Sequence, residues 1–510
     1  MNIRTAYDEV PYEGASFPQS HPDRLCMFGR LYGMFPAPVT RCRVLELGCG
    51  WGGNLIPMAW HLPESEFVGL DLSVGHVEKG LSVIHDLGLR NIRIEHASIL
   101  SVDDSWGFFD YIIAHGIFSW VPADVQDKIL SICSKNLAPQ GIAYVSYNTY
   151  PGWHMRGMIR SMMLYRAGQF DDPRKRIAES RALMDFLAEA VPAGDYYGML
   201  INSELEIVKG SKDWYLFHDH LGEINSPLYF HKFMEFAGEK GLQYLCESEF
   251  ASTITSGLSE TVSNTLGRIS RNIIESEQYT DFIRNRFFRQ TLLCHDDVSL
   301  NRSPGVGSLN GFFVSSHVRS EGTQINLSPG VRQIFKVDES LSIETDSAPT
   351  KTAFAILSDH WPRSVHIDSL EEEISKLLWP LAKQNDAWQQ QMEQTLRKDL
   401  LNYFAARVVR FRTWQADFVT VIGDKPKVSE LAAYLALRDL PVTNQLHEVI
   451  KTDSLTRHLI PFLDGTRDVA SLLERMSELV SERTLVVGRE DSSAQDAEAI
   501  RQALIKGIDE

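Results

Sequence analysis

A run of glycines near the front of the chain carries the strongest chemical signal: Val44-Leu45-Glu46-Leu47-Gly48-Cys49-Gly50-Trp51-Gly52-Gly53-Asn54. Glycine lets main chain turn tightly and approach a ligand closely. Before the run lies a short apolar stretch, Cys42 to Leu47, of the kind that forms a buried parallel strand. After it, Leu55-Ile56-Pro57-Met58-Ala59-Trp60 suits the start of a helix, whose N-terminus favours anionic groups. Twenty-one residues beyond Gly50, Phe67-Val68-Gly69-Leu70 ends in Asp71. An acid at the end of a second strand can accept both hydroxyls of a ribose. Gly48, Gly50 and Gly53 also satisfy G-x-G-x-x-G literally, so a nicotinamide enzyme is one alternative and a tight turn without a ligand another.

Glu46, two places before the first glycine, and Gly52 extend the pattern to E-x-G-x-G-x-G, which resembles the first motif of class I S-adenosylmethionine (SAM) methyltransferases. That resemblance implies roles for the neighbouring residues. Glu46, Gly48, Cys49, Gly50, Gly52 and Asn54 bind the cofactor through the loop under its methionine part, and Asp71 holds the ribose. Leu72 and Ile99 flank the adenine. Ser98 stands where these enzymes often have an acid touching the adenine amine, and it bonds that edge instead. His115 faces the methionine end or caps a strand.

The elements that must position these residues alternate. Strand candidates are 43–47, 67–71, 91–95, 109–114 and 141–147, with helical stretches such as 74–87 and 123–136 between them. Such β/α alternation argues a doubly wound, mostly parallel sheet, with ligands outside the carboxyl ends of the strands. The last strand runs into Asn148-Thr149-Tyr150-Pro151-Gly152-Trp153-His154. With Phe118-Ser119-Trp120-Val121-Pro122 it forms an aromatic slot beside the cofactor, or else a stiff Pro-Gly turn with core aromatics. In the slot reading Trp120, Tyr147, Tyr150 and Trp153 desolvate an amine, Asn148 orients it, and His154 or His115 relays its proton. The aperiodic arm from Tyr7 to Leu25 is a lid over the cofactor or a plain surface strap.

The chain has 510 residues, 44% of them hydrophobic, and a net charge of −17. Length argues about three domains. The acidity argues against nucleic acid as substrate, which needs a basic face. Six scattered cysteines without a C-x-x-C pair read as reduced thiols. No apolar run approaches the ~20 residues of a membrane span, and the first residues lack an apolar signal core, so a cytoplasmic protein without membrane insertion is expected.

Several further segments, in order, carry a wider resemblance. They are Tyr7-Asp8-x-Val10-Pro11-Tyr12, Phe17 to Leu25, the glycine motif, Asp110 to Pro122, Ser146 to His154, Tyr215 to Leu221, Asn225 to His231 and Asp281 to His295. The chain resembles bacterial methyltransferases that carry a methyltransferase regulatory domain. Its characterised look-alikes are the rickettsial-type protein lysine methyltransferases that modify outer-membrane surface proteins. The resemblance implies SAM as cofactor, a lysine-containing protein substrate, no nucleic acid and a possible homodimer. A small-molecule methyltransferase and a SAM-binding regulatory scaffold without catalysis are the alternatives.

The expected fold is α/β, a Rossmann-like class I methyltransferase sheet followed by a mainly helical middle domain and winged-helix-like C-terminal units. The expected boundaries are 1–155, 156–302, 303–386 and 387–510. In the middle, 158–168 and 177–190 have helical spacing. The aromatic stretch 206–235 places His218, His220 and His231 as if alternating along a strand, a core or interface pattern rather than a metal site. Later pieces read as strands at 311–318 and 332–343 and helices at 350–358, 367–385 and 387–437. Arg407 to Arg412 alternates like a half-buried strand, with nucleic-acid binding as the sharper alternative. Leu463-Asp464-Gly465-Thr466-Arg467 reads as a turn feeding a helix near Asp468, and 481–510 as a polar, frayed tail.

Overall fold

The computed structural model describes residues 6–250, 258–322, 325–378, 386–416, 418–419, 421–482 and 484–485. Its centre is a seven-stranded sheet. The apolar runs form the first five strands: β1 (Arg43–Leu47), β2 (Glu66–Asp71), β3 (Ile92–His96), β4 (Phe109–Ala114) and β5 (Leu137–Asn148). They are parallel neighbours in the order β3-β2-β1-β4-β5. Leu45, Leu47, Val68 and Ile112 feed one core, and Val44, Phe67, Tyr111 and Ile113 feed the other. Burial on both faces is why these strands read as continuous apolar runs. The helices Val74–Asp86 and Ala123–Lys135 stand where the periodicity predicts them, the first capped by Ser73 Oγ accepting the His76 N–H.

The sheet does not stop at residue 155. The segment read as helical, 156–302, also sends back two strands, β6 (Leu242–Glu247) and β7 (Phe288–His295). β7 lies between β5 and β6 and is antiparallel to both. Its arginine hides it in the sequence. Arg289 is fully buried, bonds Glu247 (2.7 Å), Asp281 (2.8 Å) and Glu277 (3.1 Å), and lies 3.7 Å over the Phe230 ring. A buried charge survives where several opposite charges surround it.

Between β5 and β6, the helices Gly152–Ala167, Pro173–Ala190 and Tyr196–Gly210 close around Ile159, Met163, Met184 and Ile201. The expected aromatic strand with alternating histidines is helical instead. His218 and His220 occupy a π-helical turn, Leu216–His220, closed by the Leu221 N–H on the Leu216 carbonyl at 3.0 Å, and His231 begins the helix Phe230–Glu239. The three imidazoles have separate surroundings: His218 meets the Val10 carbonyl (2.6 Å), His231 meets Gln278 (2.9 Å), and His220 packs beside Tyr215.

Further along come β8 (Phe313–Ser315), β9 (Arg319–Ser320), β10 (Gln333–Lys336), β11 (Ser342–Thr345), β12 (Val365–His366) and β13 (Arg410–Arg412). They make two small sheets, β11-β10-β9 and β12-β8-β13. The second draws β13 across the expected boundary at residue 386. The long helix expected over 387–437 is therefore interrupted: Asp386–Ala405 ends before Arg407 turns left-handed (φ 62°), and Glu430–Leu437 follows β13. Phe411 points inward, while Arg407, Arg410 and Arg412 pair with Glu249 (3.2 Å), Glu448 (2.7 Å) and Asp23 (3.5 Å). The arginine patch is a seam between distant parts of the chain. Asp468 caps the helix Val469–Ser481 by accepting the Ser471 N–H. The tail beyond 485 and residues 379–385 of the helix expected over 367–385, which forms as Ile367–Leu378, lie outside the described residues. Among the described residues, no helix is long and apolar enough to cross a membrane.

Candidate active site

Strand order reverses between β2-β1 and β4-β5, which opens a crevice at the carboxyl end of β1. The glycine loop turns there, anchored by the Gly48 and Cys49 N–H groups on the Leu70 carbonyl (2.9 and 3.0 Å). Gly48 has φ 69°, and a β-carbon on it would stand 2.4 Å from Ile117 Cδ1. Asp71 braces the loop from β2. Its Oδ2 accepts the Gly50 N–H (2.8 Å) and its Oδ1 the Ser73 N–H (2.9 Å).

A cavity of about 390 Å³ lies above this loop. Ten of the expected cofactor residues line it: Glu46, Gly48, Cys49, Gly50, Asn54, Asp71, Leu72, Ser98, Ile99 and His115. Gly52 does not. It has a positive φ of 81°, and a β-carbon on it would meet Ile94 Cδ1 of β3 at 2.6 Å, so glycine there lets the loop seat against that strand. The Ser98 hydroxyl accepts the Leu100 N–H (3.2 Å) as a helix cap. His115 contacts the Tyr144 hydroxyl (2.9 Å) and Ser146 Oγ (3.2 Å), and burial lowers its pKa to about 4. A ring that is neutral at physiological pH and this weakly basic is a poor proton relay, contrary to one of its expected roles.

The arm belongs to the wall. Tyr12, Gly14, Ala15 and Phe17 line the cavity, and the Phe17 ring lies 3.9 Å from that of His115. Lys212 pairs with Glu13 (2.6 Å), and Ser73 Oγ donates to Asp8 (2.6 Å). Ser73 and His76 also line it; they stand two and five places after Asp71, outside the expected set.

Of the four aromatics expected to desolvate the amine, only Trp120 lines the cavity, beside Val121, Pro122 and Val125. Trp153 stands edge-on to it, with ring centroids 6.1 Å apart. Tyr150 stacks on His154 (4.1 Å), whose Nε2 meets the Tyr229 hydroxyl (3.0 Å). Asn148 is buried and donates to Asn225 Oδ1 (2.9 Å). Tyr147 departs most from expectation. It is 1% exposed, stacks on Phe233 (4.1 Å) and bonds Thr291 Oγ1 (3.2 Å), within the core. Tyr147→Phe should leave kcat within about twofold and lower stability by about 1 kcal/mol, the usual worth of one hydrogen bond. Steady-state kinetics and urea unfolding check both.

Three family profiles match the chain: a methyltransferase domain over residues 44–141, a predicted methyltransferase regulatory domain over 212–295, and a PKMT C-terminal winged helix domain over 424–510. The uncharacterized protein RP789 of Rickettsia prowazekii is 33% identical over 506 residues, spanning 98% of this chain and 90% of that protein. The chain belongs to this methyltransferase family. A second R. prowazekii protein, the uncharacterized RP028, is 39% identical over 243 residues, 48% of this chain and 97% of its own length. Among solved structures, PKMT2 from Rickettsia typhi in complex with AdoHcy superposes with a TM-score of 0.85 at 29% identity, covering 98% of this chain and 97% of that one.

The methyltransferase uses SAM, and its cavity fits that molecule on its own terms. Glu46 Oε1 accepts from Asn54 Nδ2 (2.8 Å), but Oε2 is buried without a hydrogen-bond partner. An orphaned buried carboxyl oxygen suits the ammonium of the methionine part. Asp71, Leu72 and Ile99 also line the cavity, where the carboxylate would accept ribose hydroxyls and the two side chains would give apolar surface to adenine. When bound, SAM supplies an electrophilic sulfonium methyl.

Burial raises the Glu46 pKa to about 8, which favours the protonated carboxyl at neutral pH. A bound ammonium favours the charged form, and that proton must leave on binding. Affinity for SAM should therefore rise with pH up to about 8, by up to about tenfold per unit, and fall again above it, where the α-ammonium of SAM itself loses its proton. Calorimetry in buffers of differing ionisation enthalpy should register the released proton, and Glu46→Gln should abolish the release.

Proposed function

We propose that this methyltransferase transfers the SAM methyl to lysine side chains of a protein substrate. The chain-long likeness to PKMT2 carries the reading, because it spans the helical and winged-helix parts as well as the methyltransferase sheet. The lining of the cavity supports it. Ile117, Trp120, Val121, Pro122 and Val125 give it apolar surface, with Trp153 edge-on to Trp120.

A lysine starts with a pKa near 10.4, so presenting it neutral near pH 7.4 costs about 4 kcal/mol. An apolar lining lowers that pKa by withholding water from the ammonium. The chain's residues then act mainly by placement: Glu46, Asp71 and the glycine loop fix the donor, and Trp120 aligns the amine and excludes water. An outer-membrane protein as acceptor, met in the cytoplasm before export, belongs to the same proposal.

The test incubates the purified full chain with methyl-labelled SAM and a fractionated bacterial lysate, including the outer-membrane fraction. Label on a protein band, mapped to lysine by mass spectrometry, is the expected result. Label confined to small molecules, or SAM binding without any transfer, would overturn it.

A further inference from the structure

The C-terminal region reaches Asn54, a residue lining the SAM cavity, through one imidazole. His447 sits on a turn held by the Thr443–Val449 bridge and by Asn444, whose Oδ1 accepts the Leu446 and Glu448 N–H groups (both 2.9 Å). It is 2% exposed and takes a left-handed φ of 63°, a conformation that costs energy for a residue with a β-carbon. Its Nε2 lies 2.8 Å from Asn54 Oδ1. The same oxygen accepts the Phe17 N–H at 2.9 Å, and this fixes the orientation of the amide. Asn54 Nδ2 must then face the other way, where it donates to Glu46 Oε1 (2.8 Å) and Ser20 Oγ (3.1 Å). Because the Asn54 oxygen can only accept, His447 carries its proton on Nε2. Burial lowers the pKa of the ring to about 3, so at neutral pH it offers that one N–H alone. Thr443, on the same turn, meets Ser16 of the arm (Oγ1 to Oγ, 3.1 Å).

We propose that His447 is a positioning residue of the SAM site: through Asn54 it holds the Glu46 carboxyl and the Phe17 segment of the arm in the arrangement that receives the amino-acid end of SAM. The winged-helix region thereby braces the wall of the cofactor pocket from behind, through Asn54, and is not an appended module. The inference concerns cofactor binding and is independent of the acceptor. Without the imidazole donor, Asn54 Oδ1 keeps the Phe17 N–H but loses its tie to the C-terminal turn. With one donor on its oxygen instead of two, the amide is held less tightly, and its Nδ2 bond to Glu46 Oε1 is less firmly placed.

The test measures dissociation constants by calorimetry on the full chain for two probes, SAM and 5′-methylthioadenosine, which lacks the amino-acid end. His447→Met fills the space without a donor, and His447→Gln restores an N–H of similar reach. The Met variant should bind SAM about tenfold more weakly, the worth of one well-placed hydrogen bond, while methylthioadenosine binding stays within about twofold. The Gln variant should recover most of the loss. If the Met variant does not fold, His447→Asn replaces it, since asparagine tolerates the left-handed backbone but is too short to reach Asn54. The proposal is overturned if SAM binding is unchanged, if both probes weaken together, or if Gln is no better than the variant without a donor. A merely structural His447 would move both probes alike.

Discussion

Asp71→Ala should raise the dissociation constant for SAM by about 100- to 1000-fold while the protein stays folded. Two losses combine at this carboxylate. It holds the glycine loop by accepting the Gly50 and Ser73 N–H groups (2.8 and 2.9 Å), and it lines the cavity where ribose hydroxyls would bond. Hydrogen bonds to a charged acceptor contribute about 1.5–3 kcal/mol each, roughly twice neutral ones. Asp71→Asn should fare nearly as badly, because its amide presents a donor to one of two donors. Calorimetry gives the constants, and the thermal midpoint separates binding from unfolding. A change of less than about fivefold would remove Asp71 from the cofactor site.

Trp120→Ala should do the reverse. SAM binding should stay within about threefold, and kcat should fall by about 100-fold, nearly 3 kcal/mol of transition-state stabilisation. Trp120 lines the cavity, and its only ring partner among the described residues is Trp153 at 6.1 Å. For the proposed lysine acceptor, removing it admits water to the entering amine and returns that amine toward its ordinary pKa. The variant's rate should then climb with pH over a wider range than the wild type, since more alkali is needed to give a neutral amine. Single-turnover rates across pH would show the shift. A loss of SAM affinity as large as the loss of rate would place Trp120 under the cofactor instead.

Much of the sheet and of the SAM pocket is legible in the sequence, because glycines and a terminal acid punctuate apolar runs in a fixed order. What was missed has physical causes. Tyr147 was grouped with Asn148, Tyr150 and Trp153 because they are adjacent in sequence. A strand sends successive side chains to opposite faces, so Tyr147 joins Ala143 and Val145 in the core while Tyr144 and Ser146 turn toward His115. β7 was hidden because Arg289 marks it as polar, and nothing local announces Glu247, Glu277 and Asp281 around it. His447 lies 393 residues from Asn54 in sequence and carries no motif, so only the folded chain brings it to the pocket.

The antiparallel strand that completes the sheet also sets a timetable for synthesis. β5 ends at Asn148 and its neighbour β7 begins at Phe288, so 139 residues lie between the two. At 5–20 residues per second a ribosome needs roughly 7–28 s to supply that neighbour. Throughout that interval the nascent chain shows an open, apolar strand edge, the kind of surface on which other strands add. A fragment cut after the first five strands would carry that edge permanently, so the catalytic half of this enzyme is expected to aggregate when made alone and to need a chaperone while the whole is being made.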